Sequence, residues 1–106
     1  MPKYLWTASY SPQGAEGVIQ KGGSARRAAI EQLVKGAGGT LEAFYFAFGD
    51  ADVVVIADLP SETTATAISM AVNATGLVAL KTVPLLEPEQ VDEAAKQTVD
   101  YRPPGS

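Results

Sequence analysis

The sequence predicts an α+β fold of ferredoxin-like topology, β-α-β-β-α-β with a C-terminal helix. Two helices would cover one face of a four-stranded antiparallel sheet. Three observations predict this. The apolar pattern switches between strand and helix periods in that order along the chain. The switches fall on Gly, Pro or Ser positions that suit caps and turns. The two middle strands are separated by a short Gly-Asp connection, which makes them a hairpin. With 106 residues the chain fits one domain and is too short for two ordinary ones.

Each element has its own justification. Lys3 to Tyr10 is rich in aromatic and β-branched residues and reads as the first strand. Ser11 to Gly23 carries Pro12 and four glycines, so a loop with about one helical turn is expected. A helix then opens at Gly23-Ser24, with Ser24 as its N-cap. Ala29, Ile30, Leu33, Val34 and Ala37 form its apolar stripe, and Gly38-Gly39 permits a left-handed end. Thr40 to Phe48 and Asp52 to Asp58 are the hairpin strands, joined at Gly49-Asp50 in a type II′ turn. Pro60-Ser61 starts a second helix with the stripe Ala65, Ile68, Ala71 and Val72, ended by Gly76. Leu77 to Leu86 is the fourth strand, with Pro84 at an edge or at its end because proline lacks a ladder donor. Pro88 opens a short acidic helix to about Lys96. Residues 1–98 make one domain on this reading, and 99–106 a flexible tail.

The hairpin register implies something about the sheet's second face. With Gly49 and Asp50 as turn residues, Phe48, Phe46 and Phe44 oppose Ala51, Val53 and Val55 on one face. Ala43, Tyr45 and Ala47 oppose Ile56, Val54 and Asp52 on the other. Both faces are mostly apolar, whereas a sheet with one wet face should alternate. Two helices cover one side only. The simplest cover for the other is a second copy of the chain, so a homodimer packed sheet on sheet is expected. The competing cover is the C-terminal helix or tail.

Composition removes several functions. There is no cysteine and no histidine, which removes disulfides, thiolate chemistry and the commonest metal and haem ligands. Eight basic against twelve acidic side chains give a net charge of −4, which does not suit a nucleic-acid partner. The N-terminus lacks a signal-peptide pattern, and no apolar run approaches a bilayer span. A cytoplasmic protein with no cofactor and no membrane partner is expected.

Five residues stand out as candidate ligand contacts: Trp6, Tyr10, Arg26, Tyr45 and Asp52. At about 100° per residue, Arg26 falls about 60° from Ala29, near the centre of the apolar stripe. An arginine there either pairs with a carboxylate, Asp52 or Glu42, or reaches into a pocket. The ion pair is the default, since buried charges are normally paired. Together with the glycine-rich helix start, Arg26 and Arg27 could hold an anion. Tyr4, Trp6 and Tyr10 share one face of the first strand, and Tyr45 sits between the small Ala43 and Ala47. Such rings could line an apolar pocket, although core or interface packing is the ordinary role of aromatics. Asp50 reads as a turn residue, while Asp52 shares a face with Tyr45. Asn73 and Lys81 are further polar groups near these elements, with no motif around either. The acidic residues from Glu87 to Glu93 suit a solvated helix face.

The segments KYLWTASYSPQG, GGSARRAAIEQLVKGAGGTLEAFYFAFGDADVVVI and NATGLVALKTVPLLEPEQVDEA resemble the GYD domain family of small bacterial and archaeal proteins. The resemblance runs from Lys3 to about Ala95. The family's Gly-Tyr-Asp region falls at Gly49 to Asp52, with Ala51 at the tyrosine position. The family is similar to the dimeric α+β barrel group, so the resemblance implies a ferredoxin-like chain that pairs sheet to sheet. It implies no particular reaction. Related barrels include cofactor-free monooxygenases, isomerases, haem enzymes and ligand-sensing modules. Two functions follow as expectations: an oligomeric module that binds a small apolar or anionic molecule or serves in assembly, or a cofactor-independent monooxygenase-like or isomerase-like enzyme.

Overall fold

A computed structural model describes residues 1–105. The elements run β1 (Lys3–Tyr10), α1 (Pro12–Lys21), α2 (Gly23–Gly36), β2 (Thr40–Phe46), β3 (Val53–Asp58), α3 (Glu62–Ala74), β4 (Val78–Leu85) and α4 (Pro88–Ala95). The sheet order is β2-β3-β1-β4 with every neighbouring pair antiparallel, which is the ferredoxin-like arrangement. Pro84 lies in β4, an edge strand, where its missing donor costs no ladder bond.

The hairpin register is the expected one: Phe46 faces Val53, Tyr45 faces Val54 and Phe44 faces Val55. The turn is not type II′. That turn needs a positive φ at its first central residue, yet Gly49 does not adopt one and Phe48 does, at 56°. Regular pairing stops at Phe46 and Val53, with two further bonds beyond it, from Ala47 N–H to the Asp52 carbonyl at 2.9 Å and from Gly49 N–H to the Ala51 carbonyl at 3.1 Å. Phe48 is 80% exposed and its ring stacks on Phe46 at 5.9 Å. That stack holds an aromatic residue in a region such residues rarely visit.

Two further expectations are corrected. Ser11 to Gly23 holds a ten-residue helix rather than a loop. Ser11 caps it by accepting from Gly14 N–H at 3.1 Å, and Pro12 occupies the first turn, where its missing N–H costs nothing. Ser24 is not a cap either: α2 begins at Gly23, after Gly22 in the left-handed region at φ 89°, with no side-chain cap.

The core is one cluster on the helix side of the sheet. Tyr4, Trp6 and Ala8 of β1 and Val53, Val55 and Ala57 of β3 pack against Val34 of α2 and Ala65 and Ile68 of α3. Side chains alternate along a strand, so the registered partners Leu5, Ile56, Val83, Val54 and Tyr45 lie on the opposite face. Tyr45 is 70% exposed and Val83 47%. All of 86–105 is exposed, so neither α4 nor the tail is buried over that face. Within one chain the competing cover for the sheet is therefore absent. Ser106, the last residue of the expected tail, lies outside the described residues.

Candidate functional site

The helices create a space by where they sit. α2 packs over β2 and α3 over β4, the two outer strands. Three strand spacings separate those strands, about 14 Å. Packed helices approach to about 8–10 Å, so α2 and α3 meet the central strands at Val34, Ala65 and Ile68 but leave a gap between them elsewhere. α1 packs against α2 and β1 and closes one end of the gap. The result is an open apolar groove of about 540 Å³.

Each wall is the apolar stripe of a helix. Ala29, Ile30 and Leu33 of α2 face Ala71 and Val72 of α3, with Val18 of α1 and Val78 of β4 completing the lining. These stripes were legible in the sequence as core. Only part of each is buried: Val34 in α2, and Ala65 and Ile68 in α3. The remainder borders open space.

Arg26 stands in this groove, and among the described residues no carboxylate pairs with it. The two expected partners are engaged elsewhere. Glu42 binds Lys3, which also donates to Asp58 at 3.0 Å. The Asp52 carboxylate accepts from the Tyr10 backbone N–H at 2.9 Å. The expected ion pair is thus overturned. The Arg26 guanidinium carbon lies 5.9 Å from the centre of the Tyr10 ring, within cation–π range.

Below the groove is a second void of about 30 Å³, against the sheet. Trp6, Tyr10, Arg26, Phe44 and Ile68 are among its walls. Tyr10 and Arg26 border both spaces, so they stand where one leads to the other. Three buried polar atoms have no hydrogen-bond partner among the described residues: Trp6 Nε1, Arg26 Nε and Thr82 Oγ1. Thr82 is the registered neighbour of Trp6 across β1 and β4. Most buried polar groups are paired, so three orphans in one neighbourhood call for an explanation.

Of the five candidates, Trp6, Tyr10 and Arg26 come together at this void. Tyr45 does not join them, being on the bare face of the sheet. Asp52 does not line either space. Its carboxylate secures the end of β1 instead. Asn73 is also structural: its side chain donates to the Leu80 carbonyl at 3.1 Å and accepts from the Leu80 N–H at 2.7 Å. Sequence reasoning missed Lys21, which lines the groove from α1. The Ser11-Pro12 cap was the signal that could have revealed that helix.

Electrostatically the groove is one-sided. Arg26 and Lys21 line it, and no aspartate or glutamate does, in a chain of net charge −4. Among the described residues no cluster of three or more Asp or Glu side chains could hold a metal ion, and no helix is long and apolar enough to cross a membrane.

The fold and the site define a small ferredoxin-like α+β domain with a cationic apolar groove between its helices and its sheet. The family model of the GYD domain matches residues 4–95, and the chain belongs to that family. No curated protein and no solved structure matches it.

Proposed function

We propose that this chain is a cytoplasmic, self-associating module that binds a small, partly apolar molecule in the groove between α1, α2 and α3. The observation that carries the reading is Arg26. Its guanidinium has no carboxylate partner among the described residues and stands half-buried where the inner void meets an apolar groove of about 540 Å³, which leaves its charge free for a ligand. The volume falls in the ordinary range of small-molecule pockets. Binding is favoured over turnover because no carboxylate lies within the lining to serve as a general base. The neutral probe N-phenyl-1-naphthylamine tests the reading. It should bind saturably at one site per chain, and Ala29→Trp, which fills the groove from an exposed position, should abolish binding. Unsaturable binding, or binding that Ala29→Trp leaves unchanged, would overturn it.

Self-association rests on the bare sheet face. Leu5, Ile56, Val54, Tyr45 and Val83 form an apolar patch that the chain's own helices leave open, and such patches mark interfaces. Sedimentation equilibrium at micromolar concentration should give at least twice the chain mass of 11.0 kDa. A monomer would defeat this part of the reading.

A further inference from the structure

We infer that the groove selects a carboxylate, with the acid group seated at the inner void against Arg26 and Trp6 and the apolar body lying along α2 and α3. The inference rests on the binding reading above and adds the chemical class of the ligand.

Trp6 is 2% exposed, and its indole N–H has no partner among the described residues. The same holds for Arg26 Nε. Both groups are donors and neither can accept. Both residues line the inner void. Whatever satisfies either donor must be an acceptor. An alcohol offers a single oxygen. A carboxylate offers two oxygens with about four lone-pair sites and matches the arginine fork. The remaining orphan, Thr82 Oγ1, can donate or accept, so it does not oppose an anion.

Charge points the same way. Arg26 lines both spaces and Lys21 lines the groove, and neither lining contains an acidic side chain. Beyond Arg26 toward solvent the walls are aliphatic: Ala29, Ile30, Leu33, Ala71 and Val72. An acid with an aliphatic or aryl body meets both requirements, and a compact inorganic anion leaves the apolar walls unused.

Arg26 also gives an unusual stability signature. An unsatisfied buried donor destabilises the empty protein. Arg26→Met should therefore raise the melting temperature of the unliganded chain while weakening binding. A purely structural arginine would do the reverse.

Isothermal titration of the full chain with decanoate and with 1-decanol tests the assignment. Decanoate should bind one per chain and at least tenfold more tightly than decanol. Arg26→Met should remove that preference. Trp6→Phe keeps the ring and deletes only the N–H, and should weaken decanoate about threefold to tenfold. Lys35→Met, at an exposed position outside both linings, should keep the preference. Equal binding of acid and alcohol by the unaltered chain would overturn the assignment while leaving the groove in use. So would a preference that survives Arg26→Met or vanishes with Lys35→Met. If decanoate, decanol and N-phenyl-1-naphthylamine all fail to bind, the binding reading itself fails.

Discussion

At the scale of single residues, the clearest electrostatic feature is Lys3, which bridges Glu42 and Asp58 at one end of β1. Burial pushes the Asp58 carboxyl up, but the hydrogen bond and charge of Lys3 outweigh it, and the net shift is downward. The hydrogen bonds to Glu42 and Asp58 raise Lys3. A lowered carboxylate stabilises the fold above its ordinary value of about 3.9 and loses that contribution as pH falls through the folded value. A raised lysine contributes fully below about 10.4 and loses it as pH rises further. The melting temperature should therefore drop below about pH 4, and Asp58→Asn should flatten that acid limb. Thermal melts of both proteins across the acid range would check this, and parallel curves would contradict it. This bridge joins residues from three strands and could not be read from spacing. Arg26 is the converse case. Its place on the apolar stripe was legible from helical phase, but its lack of a partner was not. That depends on what Lys3 and the Tyr10 backbone do to the two expected acids, Glu42 and Asp52.

At the scale of elements, the register and the ends at Gly38, Ser61 and Gly76 were legible, and composition misled. Ser61 accepts from Thr64 N–H at 3.2 Å, as a cap should, and Gly38 and Gly76 take positive φ after their helices. Ser61→Ala should lower stability by about 1 kcal/mol. α1 was hidden by its glycines, each of which costs a helix about 1 kcal/mol. Gly14 has a tertiary reason to be there. A Cβ at that position would come within 2.3 Å of the Leu77 carbonyl oxygen, which also accepts from Ser11 N–H. α1 thus lies too close to the start of β4 for any side chain. Gly14→Ala should cost about 1–3 kcal/mol through overpacking, despite alanine's better helix propensity. Urea melts would show it, and a stabilised variant would mean that α1 can slide. The type II′ turn failed for a related reason. Gly-Asp is sufficient for such a turn, but stacking of Phe48 on Phe46 takes the positive φ one residue earlier.

At the scale of the whole molecule, one sheet serves two surfaces. Its helix side holds the void and the groove, while its other side carries the apolar patch proposed to meet a second chain. Tyr45 belongs to that patch and, at 70% exposure, can be replaced without disturbing the core. Tyr45→Glu should weaken self-association at least tenfold and shift the monomer's stability by no more than about 0.5 kcal/mol. Sedimentation and melting measured together would separate those effects. The bare face was legible because it follows from strand alternation alone. The groove was not, because it depends on the helices sitting over outer strands, which periodicity cannot specify. That strand order has a consequence in time. β1 is a central strand that is synthesised before both of its partners, which begin only at Val53 and Val78. Lys3 cannot meet its partner Leu85 until the segment between them exists. The indole that lines the void thus waits for its neighbours, and folding depends on long-range pairing that is intrinsically slow.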